Sequence, residues 1–444
     1  MLKRVNGKDD MTGAEIAIKD AAFPLPFVSG LEYNAPARGP WNIVHTGMLV
    51  PESHQVFACA QGCLRGVILT AAEMLEMGRM SWISVDKNDF FDGSLERNIA
   101  DGTAEIIRNL PKKPRAILLF ISCVHLFAGC DFEAILSELR AAFPDIDFID
   151  CYMNPTMRKS GLTPDQLMRR QLYDPLAPCP SEPMTVNLIG NDRPTDETSE
   201  LVRLIRDAGW RLRDITGCRT YDEYADMAKS LLEITYLPTA AASGDALERR
   251  LGRKHLYLPL SYDFDEIERN LARLADALGV PAPDWSEAKR NALRALEHAR
   301  EVVGDVPVEI DYTATPRPVG LALLLAEHGF RVSRVYTDAM IEEERPAFER
   351  LRALVPDLLL TATVHAKMRF AGKGVHERGP VLAIGQKAAY FGGTRHFVNI
   401  VSGGGMYGFD GVARLAGLMI DAMEHEKDTE IVIQHKGLGC RSCL

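Results

Sequence analysis

The 444-residue sequence has no apolar run long enough to cross a bilayer. Its longest, Ala116 to Cys130, includes Ser122 and His125 and falls short of the roughly 20 residues that a spanning helix needs. The opening stretch MLKRVNGKDDMTGAEIAIKD carries basic residues with no apolar core behind them, so it lacks the pattern of a signal peptide. Basic residues are in deficit, 51 Lys and Arg against 61 Asp and Glu for a net charge of −10. That balance argues against general nucleic-acid binding, which wants a basic face. There is no G-x-x-x-x-G-K-S/T, so ATP is not bound through a P-loop, and no H-E-x-x-H zinc motif. A compact C-x-x-C-x-x-C run is also missing. The expectation is a cytoplasmic chain with reduced thiols, in which nine cysteines, an odd number, are free or bind metal.

What is present is an ordinary globular composition, 46% hydrophobic and 25% charged. The length suggests about three domains. Val-, Ile-, Leu- and Phe-rich runs alternate with helix-period segments, the signature of parallel sheets covered by helices on both faces. The first block predicts strands at Gln55–Ala58, Trp82–Val85, Arg115–Ser122 and Ile146–Ile149. Helices are predicted between them at Leu64–Met77, Ser94–Asn109 and Phe132–Ala142. Asn154–Pro183, with six prolines, reads as a linker around one short helix. A second block opens with MTVNLIG at Met184 and a third with VPVEIDY at Val306.

These two blocks echo each other. Leu201–Arg213 (LVRLIRDAGWRLR) and Leu321–Ser333 (LALLLAEHGFRVS) both read as a helix, a glycine, an aromatic residue and a new strand. Gly209 and Gly329 stand where a helix end favours a left-handed residue. The expected domains are therefore an arm at 1–40, α/β domains at 41–183, 184–304 and 305–430, and a tail at 431–444.

Ligands of doubly wound sheets sit beyond the carboxyl ends of the strands. Cys63, in FACAQGCLRG, falls after a strand and at a helix start, and Cys123, in LLFISCVHLFAGC, falls where a buried strand ends. A helix amino terminus lowers a thiol's pKa and favours the thiolate that iron–sulfur clusters require. Cysteine is also simply a small, often buried residue. Cys59 reads either as a third ligand or as the last inward residue of its strand. Cys130, Cys151, Cys179 and Cys218 are scattered and read as structural. Cys440 and Cys443 form a C-x-x-C near the end of the sequence, a spacing that can bind metal or exchange thiols. His54, His125, His365 and His396 are isolated and read as satisfied histidines.

Gly403, Gly404, Gly405 and Gly408 satisfy G-x-G-x-x-G between an expected strand, His396–Val401, and a helix, Gly411–Glu424. A strand-like TEIVIQ follows. The context suits a dinucleotide such as NAD or FAD. It equally suits a strand-to-helix turn against which something packs closely, since about 35 residues leave no room for a second half-fold.

Taken together, AQGC at Cys63, ISC through GCD at Cys123–Asp131, and SGGGMYGFDG at Ser402–Gly411 resemble the component 1 subunits of nitrogenase and nitrogenase-like reductases. That family includes nitrogenase, its cofactor-assembly scaffold, dark protochlorophyllide reductase and methylthio-alkane reductase. The resemblance, from about residue 40 to 425, implies three Rossmann-like domains with parallel sheets around a central cleft. It implies a homologous component 1 subunit as partner, in a heterotetramer, and a relay iron–sulfur cluster shared between the two. A separate P-loop iron–sulfur ATPase would supply the electrons. By this resemblance Cys63 and Cys123 match two cluster cysteines of the family; a third is missing from ARGPWNIVHTG, and either Cys59 substitutes for it or the cluster has fewer ligands.

Two departures set the chain apart. The nitrogenase catalytic subunit holds its large cofactor through a Cys and a His, and here those places fall at Tyr236–Thr239 and at Tyr407. The resemblance therefore points to a subunit without the large cofactor, which would sit in the partner, and to methylthio-alkane reductase over nitrogenase. A scaffold for cofactor assembly and a nucleotide-dependent dehydrogenase using the Gly403–Gly405 turn are the alternatives.

Overall fold

The computed structural model describes residues 11, 13–28, 30, 32, 43–91, 93–154, 161–376 and 379–432. The chain divides into two compact units, one of Trp41–Pro194 and Ile205–Pro259, the other of Met1–Pro40, Thr195–Leu204 and Leu260–His435. Cys440 and Cys443, with nearly all of the expected tail, lie outside the described residues. No helix among those described is long and apolar enough to cross a membrane.

After β1 (Glu15–Ala17), which belongs to the other unit, the first unit opens with β2 (Ser53–Cys59), β3 (Met80–Ser84), β4 (Ala116–Ser122) and β5 (Asp147–Met153). They form a parallel sheet in the order β3-β2-β4-β5. β2 and β4 are buried throughout; β4 accordingly reads as a continuous apolar run instead of an alternating one, whereas β2 opens with the buried polar residues Ser53, His54 and Gln55. The period of two still sorts their side chains. Phe57 and Cys59 lie in one core with Leu118 and Phe120, while Val56 and Ala58 lie in another with Ile117 and Leu119. Phe57 stacks on Phe120 across the strand pair with ring centroids 4.1 Å apart. Helices Gln61–Glu73, Leu95–Asn109 and Phe132–Ala142 stand close to their expected places.

The linker carries one helix, Pro164–Gln171, begun by a Thr163–Gln166 capping box. Next come β6 (Thr185–Leu188), β7 (Arg211–Asp214), β8 (Leu232–Thr235) and β9 (Lys254–Tyr257), parallel and in the order β7-β6-β8-β9.

The other unit is built on β10 (Val308–Asp311), β11 (Val332–Tyr336), β12 (Leu359–Thr361), β13 (Leu382–Ile384) and β14 (Phe397–Val398). With β1 they make a six-stranded sheet, β1-β12-β11-β10-β13-β14. The internal echo holds in detail. Helices Glu200–Asp207 and Pro318–Glu327 are each followed by a left-handed glycine, Gly209 (φ 74°) or Gly329 (φ 78°), and then by β7 or β11.

Three expectations are corrected. Part of the expected arm is a strand: β1 pairs antiparallel with β12, Glu15 opposite Thr361, and so covers a sheet edge. The strand expected at His396–Val401 is only β14, because Ser402 and the glycines after it adopt positive φ and turn the chain away. TEIVIQ begins as a 3-10 turn, Thr429–Val432, instead of a strand.

In each sheet the chain starts at β2, β6 or β10, adds strands on one side (one in the first two sheets, β11 and β12 in the third) and then crosses to the other side. Connections leave in opposite directions where that crossing begins, and that switch point is where such sheets bind ligands. The three switch points are β2/β4, β6/β8 and β10/β13.

Candidate functional site

Cys63 and Cys123 both stand at the β2/β4 switch point. Cys63 is exposed, in the first turn of Gln61–Glu73, with its backbone N–H donating to Ala60 O at 2.9 Å. Cys123, half-buried, is the first residue of Cys123–Ala128, a short helix that Gly129 ends in a left-handed cap. His125 closes this turn, its Nδ1 lying 3.1 Å from the backbone N of Ser122. Its Nε2 is buried with no hydrogen-bond partner.

Cys59 is the last residue of β2 and 1% exposed, facing the core as the alternation requires. Burial pushes its thiol up to about 12, and the Cys63 and Cys123 charges push the same way. The three sulfurs are thus electrostatic neighbours. The Cys63 thiol is also held above its ordinary value, by burial and then by Cys123. The sequence had suggested a thiol lowered by its helix start. Desolvation and a like charge outweigh that dipole here. A bound metal cation would reverse the sign, since it deprotonates a coordinating thiol outright.

No group of three or more His, Cys, Asp or Glu side chains among the described residues is arranged to hold a metal ion. The outward donors at the switch point are two thiols, half of the four that a cysteine-held iron–sulfur cluster takes. That donor set suits part of a cysteine-held cluster.

Exposed apolar side chains stand on the helices that follow β3 and β4. Helix Cys123–Ala128 leaves Leu126 57% and Phe127 74% exposed, and Phe90, on the helix that follows β3, is 40% exposed. Sequence reasoning missed these, because Ala116–Cys130 reads as one buried run when only its β4 half is covered.

The other expected thiols are dispersed. Cys151 is buried in β5, and Cys179 and Cys218 pack against the same core. Cys130 is pushed up to about 12 by burial and by Glu96. His54 lies 2.8 Å from Ser81 Oγ, His365 accepts from Lys367 N, and His396 lies 2.9 Å from Ala422 O.

Within the other unit, the glycine turn lies against the loop after β10. Ser402 N donates to Thr313 O at 2.9 Å and Gly403 N to Ala314 O at 2.7 Å. Gly403, Gly404 and Gly405 all have positive φ, as does Gly408. The helix begins at Gly408, three residues earlier than expected. Where a pyrophosphate would lie stands a carboxylate of the chain itself. Glu200, 1% exposed, accepts from Asp410 N at 3.2 Å, and a Cβ on Gly408 would collide with it. Burial raises the Glu200 pKa. Nothing in the sequence near the motif marks this residue, which lies more than 200 positions away. Tyr407, just before the helix, and Tyr236 are both buried.

Comparison with known proteins agrees with this geometry. No curated protein matches the chain. A structure of nitrogenase Cp1 at pH 6.5 superposes with a TM-score of 0.68 at 14% identity, covering 89% of this chain and 94% of that one. A second, of nitrogenase Cp1 at pH 5, gives 0.59 at 12% identity, covering 93% and 94%. At such identities the likeness shows the fold. The model of the nitrogenase component 1 type oxidoreductases matches residues 48–402, which is most of the chain and includes both switch-point thiols. The chain is a member of that oxidoreductase family.

Proposed function

We propose that the chain is a subunit of a nitrogenase-like two-component reductase and that Cys63 and Cys123 are its share of an iron–sulfur cluster held between two component 1 subunits. The observation that carries this reading is the pair of outward thiols at the β2/β4 switch point, in a family of oxidoreductases. When bound, the cluster would take up and pass on single electrons. The chain's own part is to hold two thiolates at helix starts, to keep Cys59 inside as packing, and to exclude water with Leu126, Phe127 and Phe90. The electron donor in this reading is a P-loop iron–sulfur ATPase, since the chain has no P-loop.

Tyr407 and the segment Tyr236–Thr239, where the family's catalytic subunit has its ligands, support a subunit without the large cofactor. The narrower assignment to methylthio-alkane reduction rests on that same lack. The dehydrogenase reading is disfavoured by Glu200, whose carboxylate takes the helix start that a dinucleotide phosphate would use. In keeping with the sequence, the α/β bodies are assigned to 41–183, 184–304 and 305–430 and the protein to the cytoplasm.

The test is anaerobic purification followed by electron paramagnetic resonance. A reduced-cluster signal should appear with dithionite, and with the P-loop ATPase only when MgATP is present. Protein that carries no cluster, alone or with a component 1 partner, would overturn the reading.

A further inference from the structure

We infer that His125 is the positioning residue of Cys123: it holds the turn that presents this thiol and acts on the cluster only through it. The inference rests on the reading above, in which Cys123 is a cluster ligand. Helix Cys123–Ala128 has six residues, well short of the roughly 12–15 at which a helix begins to hold itself together in water. The body of the protein must therefore hold it. Of its six side chains only that of His125 is fully buried, at 0% exposure, while Leu126 and Phe127 are exposed. Cys63 stands on firmer ground, since Gln61–Glu73 has 13 residues and buries Leu64, Val67 and Ala71.

An apolar residue would be the simpler anchor. A histidine here leaves its Nε2 buried with no hydrogen-bond partner, which costs free energy. What the ring gains is at Nδ1. Ser122 N donates to it at 3.1 Å, and the same nitrogen lies 3.1 Å from Ser122 O, the carbonyl of the peptide bond that leads into Cys123. The third residue of the helix thus reaches back to its cap residue, as in a capping box, and grips the peptide beside the thiol-bearing residue. The far end of the turn closes on His125 as well, because its carbonyl accepts from Cys130 N at 3.0 Å. A phenyl ring would fill the same space and remove the unpaired Nε2, but it could not hold Ser122. Replacing the histidine so should leave the fold intact and loosen Cys123 alone.

The experiment compares the full wild-type chain with His125→Phe, which loses Nδ1, and His125→Asn, which keeps an acceptor near its place. In the iron-free chain, alkylation of each cysteine by iodoacetamide is followed by peptide mass spectrometry, beside the thermal melt. His125→Phe should speed alkylation of Cys123 about tenfold, the worth of one hydrogen bond, with Cys63 and the melt unchanged, and His125→Asn should restore the wild-type rate. In the reconstituted protein, with a component 1 partner where one is needed, the reduced-state paramagnetic spectrum should shift in His125→Phe and return in His125→Asn. Wild-type reactivity of Cys123 in His125→Phe would overturn the inference. So would a His125→Phe chain that fails to fold or melts lower with both thiols accelerated, since that marks a merely structural histidine. A loosened Cys123 with an unchanged spectrum would overturn the link to the cluster. A wild-type chain that takes up no cluster, with Cys123 alone accelerated in His125→Phe, would overturn the proposed function and leave the positioning of Cys123 standing.

Discussion

The first two sheets share one topology and fill their switch points in opposite ways. At β2/β4 the chain presents two thiols to the outside. At β6/β8 it fills the crevice with its own side chains. Arg169, on helix Pro164–Gln171, reaches Gly190 O after β6, and pairs with Asp165 at 3.0 Å and Asp192 at 3.4 Å. Tyr173 accepts from Gly190 N at 2.8 Å. Burial alone would lower the Arg169 pKa, but Asp165 and Asp192 outweigh it and raise it, so the cation persists inside. Gly190 has φ 80°, and a Cβ there would collide with that of Ala240 after β8. The same fold thus supplies a plugged crevice, where residues serve stability, and an open one, where residues are free to bind.

This contrast can be broken by mutation. Arg169→Ala leaves two buried carboxylates without their cation and should cost about 3–5 kcal/mol, read as a lower midpoint in urea denaturation. A loss below about 1 kcal/mol would deny that the plug holds the second sheet together.

The next effect is on pH. Glu233, on β8, accepts from Asn187 at 2.9 Å, and burial pushes its carboxyl up to about 8. A carboxyl raised in the folded state gives stability that is fully present below its ordinary 4.5 and lost as pH rises through about 8. Glu233→Gln should flatten the decline in melting temperature over that interval, and an unaltered slope would contradict the assignment.

At the first switch point the expected losses shrink. Cys59→Ala removes one buried sulfur and should cost about 1 kcal/mol while the iron stays. Loss of iron in that variant would promote Cys59 to a ligand. Cys63→Ala and Cys123→Ala should alter the stability of the iron-free chain least, by about 0.5 kcal/mol or less, because neither sulfur fills a core.

The parallel sheets were legible because β4 and the apolar centres of the other first strands alternate with helix-period segments, a local signal. Cys63 and Cys123 were legible because each stands at the start of the helix that follows a strand. What escaped the sequence was non-local. Arg169 meets Gly190 across 21 positions and Glu200 meets Asp410 across 210, and no periodicity encodes either meeting. The pairing of β1 with β12 spans the length of the chain and rests on backbone hydrogen bonds that any side chains would allow. The direction of the Cys63 pKa was misjudged because a helix start is visible in sequence, whereas desolvation and the neighbouring Cys123 are not.

The account stands most directly on iron content. Wild-type chain, Cys63→Ala, Cys123→Ala and Cys59→Ala would be reconstituted anaerobically under one protocol, with any component 1 partner that proves necessary. Iron and sulfide per chain would then be measured beside the reduced-state spectrum. The prediction is a cluster in the wild type and in Cys59→Ala, and its loss in Cys63→Ala and Cys123→Ala. Unchanged iron in both of those last variants would contradict the claim that the open switch point is a cluster half-site.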